Sequence, residues 1–171
     1  MSTSPADAAA SLERATRLLA TGQAGEAAAL SRQVLEQHAD LVPALALLGA
    51  ALHAGARFAD AESVFLRLTE LAPGEPLHWM NVGSARRCAG RPDDALQAYA
   101  RASALGAATR DFYYNVALTH LQRQDFESAR SLFERALALD PTDLEARYGY
   151  AQCCYERHRT DEAQAALVDW E

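Results

Sequence analysis

Five histidines (His38, His53, His78, His120, His158), three cysteines (Cys88, Cys153, Cys154) and the acidic pairs Asp93-Asp94 and Asp161-Glu162 are the residues that could carry catalysis or hold a metal. A helical metal site needs ligands three or four residues apart, so that they share one face. No two of the histidines stand at either spacing, and no Cys-x-x-Cys pair is present. Paired carboxylates can share acid and base roles, but both pairs here open predicted helices, where acids favour the positive end of the dipole. Cys154 falls in an expected core position with Cys153 beside it, and both read as packing. There is no glycine-rich phosphate loop and no Gly-x-Ser-x-Gly elbow. The expectation is a non-enzymatic protein with no cofactor and no metal.

The composition says what must position any binding residue. Of 171 residues, 38 are Ala and 23 Leu, while β-branched residues, Gly and Pro are scarce, which favours helix. All 16 basic residues are arginines against 23 acids, a net charge of −7. A polyanionic nucleic acid or membrane surface would need a basic face instead, so neither is expected as a partner. The longest apolar run, Leu41 to Leu52, is too short for a membrane span of roughly 20 residues. The N-terminal residues lack the pattern of a secretory signal. With an odd number of cysteines, two of them adjacent, reduced thiols and a cytoplasmic location are expected.

A period of 34 residues organises the chain. Tyr113-Tyr114-Asn115-Val116-Ala117, Ala129, Phe133 and Ala136 align with Trp79-Met80-Asn81-Val82-Gly83, Ala95, Tyr99 and Ala102. One period earlier stand Leu45, Leu48-Gly49, Ala61 and Phe65, and one period later Arg147-Tyr148-Gly149-Tyr150-Ala151 and Ala163. The units are 42–75, 76–109, 110–143 and a shortened 144–171, preceded by a weaker unit 8–41 and an N-terminal segment 1–7. In the weak unit, Ser11 and Arg14 occupy positions for large residues; sliding it by one residue would place Leu12, Ala15 and Leu19 there instead. Pro73 and Pro141 stop second helices, and Ala54-Gly55 and Ala89-Gly90 are expected to end first helices with a left-handed glycine. Asp125 and Thr160 are candidate caps, Pro92 suits a first helical turn, and Ser4-Pro5-Ala6-Asp7 is a candidate capping box.

This pattern resembles the tetratricopeptide repeat (TPR) family over residues 8–171. There a large residue stands at position 4, small ones at 8, 20 and 27, an aromatic at 24 and proline at 32. Unit 110–143 matches with Tyr113, Ala117, Ala129, Phe133, Ala136 and Pro141, whereas Arg86 and His120 depart from the large apolar residue of position 11. The resemblance implies an all-α, right-handed solenoid of antiparallel helix pairs, with nine full helices and a tenth cut short. It also implies that first helices line a concave groove. Groove positions hold Met80, Tyr114 and Tyr148 (position 5), Asn81 and Asn115 (6), Ser84, Leu118 and Gln152 (9), and Arg87 and Tyr155 (12).

These ten residues form the candidate peptide-binding site. Asn81 and Asn115 are similar to the asparagine ladder of O-GlcNAc-transferase-like TPR arrays, which grips extended polypeptide; a hydrogen bond within their own helix is the competing role. Each such bond contributes about 0.5–1.5 kcal/mol, so the aromatic and aliphatic residues would supply most of any tight binding. The two-carboxylate clamp of chaperone-binding TPR proteins is disfavoured, because Leu77, Met80, Ser84 and Asp111 stand where its basic and amide residues belong. The expected function is a scaffold or adaptor that holds a peptide or partner protein segment in the groove. Alternatives are a substrate-recruiting module of a larger bacterial glycosyltransferase or sulfotransferase, and a scaffold that self-associates through its terminal repeats. Leu167, Val168 and Trp170 would need cover, from further repeats or from another chain.

Overall fold

The computed structural model describes residues 5–156 and Gln164. Thr160, the pair Asp161-Glu162, the expected tenth helix and the face of Leu167, Val168 and Trp170 lie outside the described residues, as does Ser4 of the candidate capping box. Among the described residues there are nine α-helices and no strand.

The chain divides into two compact units, Met1–Arg91 and Pro92–Glu171. The division falls inside the sequence unit 76–109, between its two helices. The first compact unit holds α1 (Pro5–Ala20), α2 (Ala24–Leu35), α3 (Val42–Ala54), α4 (Phe58–Leu71) and α5 (Pro76–Cys88). The second holds α6 (Pro92–Ala104), α7 (Arg110–Gln122), α8 (Phe126–Leu139) and α9 (Leu144–Glu156). Within each unit every helix packs on the next along the chain, and α1 also meets α3 as α7 meets α9.

The joints repeat with the sequence. Gly22, Ala56, Gly90 and Gln124, spaced by 34 residues, all have left-handed backbone with φ of 81°, 56°, 77° and 60°. Each closes a first helix with the same bond pair. At Ala56, the Arg57 N–H donates to the Leu52 carbonyl at 2.9 Å and the Ala56 N–H to that of His53 at 3.0 Å. Two carbonyls left over at the helix end are thereby satisfied. Gly90 does what the sequence predicts. Gly55 does not: its φ is −83°, and the left-handed residue is Ala56, one position on. The bond pattern fixes which residue must turn, and glycine happens to stand beside that place rather than in it.

Three first helices are capped by a side chain one residue before they begin, again at a 34-residue interval, whereas Leu41 in the same register before α3 makes no side-chain cap bond. Glu75, Thr109 and Asp143 accept bonds from backbone N–H groups of α5, α7 and α9 respectively. Asp125 caps α8 through the Ser128 N–H at 3.3 Å.

In the second unit the core is Ala117, Ala129, Phe133, Ala136, Ala146 and Cys153, all fully buried. Alanines at the close-approach positions let α7 and α8 meet, and the Phe133 ring fills the space this leaves. A Cβ on Gly149 would lie 2.3 Å from the Phe133 ring, so α9 can pass over that ring only on a glycine. In the first unit the Phe65 ring packs instead on the helix before it, where a Cβ on Gly49 of α3 would lie 2.4 Å away. Polar residues at position 11 are also accounted for. Arg86 is bound to Glu62 at 2.7 Å, and His120 Nδ1 lies 3.0 Å from Asp125.

Candidate functional site

The ten predicted residues divide between the two units. Tyr114, Asn115, Leu118, Tyr148, Gln152 and Tyr155 lie on α7 and α9 of the second unit, and Met80, Asn81, Ser84 and Arg87 on α5 of the first.

On the second unit, α7 and α9 form a cavity of about 360 Å³ lined by Tyr114, Leu118, Leu121, Leu144, Glu145, Tyr148, Gly149 and Gln152. Four predicted residues thus meet in one place. Leu121, Leu144 and Glu145 join them without having been singled out, although all three are on the same two helices. Tyr148 is 67% exposed, Leu144 51%, and Tyr155, outside the cavity lining, 68%. Large apolar side chains this exposed on one face mark a contact surface more than a fold requirement.

Tyr114 anchors this face. Its ring lies edge-on to Phe133 at 5.9 Å and beneath the Arg110 guanidinium at 4.7 Å. Burial, and then the Glu145 carboxylate beside it, push its hydroxyl above the usual tyrosine range. Arg110 in turn is tied to Asp143 and to Asp111. Burial alone would raise Asp143, but Arg110 and the Ala146 and Glu145 N–H groups outweigh it and hold the carboxyl below its ordinary range. Asp143 therefore caps α9 and binds the start of α7, fixing the two helices that carry the cavity. Its place immediately before a repeat was the available sequence signal. The Asn115 amide donates to the Asp111 carbonyl at 2.9 Å, which is the bond within its own helix.

On the first unit, Ala50, His53, Ala54, Phe65, Asn81 and Ser84 line a smaller cavity of about 190 Å³. The His53 Nε2 and Ser84 Oγ atoms are 3.2 Å apart, and the imidazole lies edge-on to Phe58. Burial holds His53 below the usual histidine range, against the contact with Ser84, and the charge of Arg87 lowers it further. Met80 is buried.

Among the described residues no helix is long and apolar enough to cross a membrane. No curated protein matches the sequence. Among solved structures, MamA from Desulfovibrio magneticus RS-1 is similar at 18% identity, covering 94% of this chain and 91% of that one with a TM-score of 0.79. A thermophilic TPR protein of Thermus thermophilus is 20% identical over 93% of this chain and 87% of that one, with a TM-score of 0.78. YrrB, a TPR protein with an unusual peptide-binding site, is 16% identical over 94% and 86%, with a TM-score of 0.68. These likenesses identify the fold as the all-α TPR solenoid. One tetratricopeptide repeat family model matches residues 18–81 and 120–170, and a second matches 80–143. With the 34-residue joints, the buried small residues and these matches together, the chain belongs to the tetratricopeptide repeat family.

Proposed function

We propose that the protein is a non-enzymatic scaffold that holds a peptide or partner segment on the faces carried by its first helices, in a cytoplasmic setting where its free cysteines stay reduced. TPR proteins in general mediate protein–protein interactions. The observation that carries the finer reading is the cavity between α7 and α9, walled by exposed Tyr148 and Leu144 beside Tyr114, whose ring rests edge-on against the buried Phe133. An aromatic side chain buries about 150–250 Å² when fully covered. At about 25 cal/mol per Å², covering Tyr148 and Leu144 supplies several of the roughly 8 kcal/mol that micromolar binding needs. Gln152 adds polar contacts, with Leu118 deeper in the cavity. Tyr155 and Asn115 extend the surface along α9 and α7, and Asn81, Ser84, Arg87 and the buried Met80 belong to the corresponding face of the first unit.

The test is selection of binders from a library of random peptides on the immobilised full chain. Selected peptides should bind the double variant Tyr148→Ala/Gln152→Ala about tenfold more weakly, because both side chains are exposed and their removal leaves the core intact. A selection without saturable binders, or equal binding to the folded double variant, would contradict the reading.

A further inference from the structure

Resting on the reading that the cavity between α7 and α9 holds a partner segment, we propose that this cavity selects a basic one. An apolar side chain of the segment enters the cavity, while a neighbouring arginine pairs with Glu145 and stacks on Tyr148.

Among the described residues that line the cavity, Glu145 alone is charged, and it stands among leucines and two tyrosines. Its side chain is 72% exposed, so the charge lies at the opening and not in the core. A carboxylate offers about four acceptor sites. The Tyr114 hydroxyl supplies one donor, and the Arg110 guanidinium, 3.9 Å away, is beyond hydrogen-bond distance. Arg110 is committed elsewhere: to Asp143, to Asp111 at 2.8 Å, and through its flat face to the Tyr114 ring. One guanidinium thus faces three carboxylates, of which Asp111 is also 70% exposed. Negative charge is left in surplus at the end of the cavity where α7 and α9 begin. An acid in the first turn of α9 also favours the helix dipole, but that role does not require apolar surroundings.

The apolar part sets what accompanies the cation. A volume of about 360 Å³ is at the small end for ligand pockets, which suits one large side chain as anchor. Glu145 and Tyr148 are about 4.5 Å apart along the helix at a rise of about 1.5 Å per residue. An extended segment advances about 3.3 Å per residue, so the anchor and the cation stand next to each other or next but one. A guanidinium pairs a carboxylate through two parallel bonds and lies flat on an exposed tyrosine ring, which an ammonium does less well. An acidic segment would meet Glu145 and Asp111 as like charges. The net charge of −7 on the chain draws basic polypeptide in the same sense.

The probe is a library of random peptides, selected in parallel on the immobilised full chain and on Glu145→Gln. Peptides that require Tyr148 should carry arginine beside, or next but one to, a large apolar residue, and should lose that enrichment on Glu145→Gln. Fluorescence anisotropy on one such peptide then gives a double-mutant cycle. Replacing its arginine by citrulline, which keeps the shape and removes the charge, should weaken binding about tenfold, because ion pair and stacking are both lost. Glu145→Gln should weaken the arginine peptide about three- to fivefold, the size of an exposed ion pair. Citrulline should then cost correspondingly less on the variant than on wild type, and lysine should fall between arginine and citrulline. Glu145→Gln is close to isosteric at an exposed site, so an unchanged urea midpoint assigns the loss to the contact. Tyr148-dependent peptides without basic enrichment, or enriched in acids, overturn the proposal and leave the scaffold reading standing. So does a citrulline penalty that is equal in both proteins. A selection without binders, or with binders indifferent to Tyr148→Ala/Gln152→Ala, overturns the scaffold reading and this proposal with it.

Discussion

At the scale of single residues, one glycine and one aspartate do more than their types announce. Helix propensity alone says that Gly149→Ala should stabilise α9 by about 1 kcal/mol. The Phe133 ring, fully buried and 2.3 Å from where the new Cβ would sit, reverses the sign. Overpacking of this kind costs about 1–3 kcal/mol, so urea denaturation should show Gly149→Ala less stable than wild type. Asp143→Ala removes an N-cap worth about 1 kcal/mol and also the charged partner of Arg110. A loss of about 2–3 kcal/mol is expected from the cap and the charge-assisted bonds together, measured in the same denaturation. Asp143→Asn, which can still cap, should lose less. Most of the candidate site residues were legible in the sequence because the repeat places them by register. The ion pair of Asp143 with Arg110 was not, because partners 33 residues apart leave no local pattern. Met80 has the register of a groove residue and the burial of a core residue, which periodicity cannot distinguish.

At the scale of elements, the joints hold the testable asymmetry. Gly22 and Gly90 take left-handed backbone at little cost, whereas Ala56 and Gln124 adopt it with a Cβ that crowds the following carbonyl. Ala56→Gly and Gln124→Gly should each raise stability by about 1 kcal/mol, read as a shift of the denaturation midpoint at constant slope. An unchanged or lowered midpoint would mean that the strain is relieved elsewhere. The stops before Pro73 and Pro141 and the start at Pro92 were readable in the sequence. The place of the left-handed turn was misread at Gly55 because glycine was taken as the signal. In fact the signal is the hydrogen-bond closure, which recurs whatever residue stands there.

At the scale of the whole molecule, charge decides the response to acid. Desolvation holds His53 and His78 below their unfolded value of 6.5, so the unfolded chain binds more protons there. Stability is therefore complete above that pH and declines as pH falls below it. Against their burial, Glu62 is lowered by Arg86 and Arg91 and Asp143 by Arg110 and backbone N–H groups, while Asp125 is lowered chiefly by the Ser128 side chain; their contribution is lost at more acid pH, below the unfolded carboxylate values of 4.5 and 3.8. Urea midpoints across pH should fall in two stages, and His53→Gln with His78→Gln should flatten only the first. A single acid-range transition unaffected by these substitutions would contradict the assignment.

That an array of stacked helix pairs exists to hold another polypeptide is tested most directly by calorimetric titration of a library-selected peptide into the full chain and into Tyr148→Ala/Gln152→Ala. Saturable one-to-one binding with a negative heat-capacity change, weakened about tenfold in the double variant, is the predicted result. Binding that survives unchanged in the folded variant would place the partner elsewhere and contradict the account.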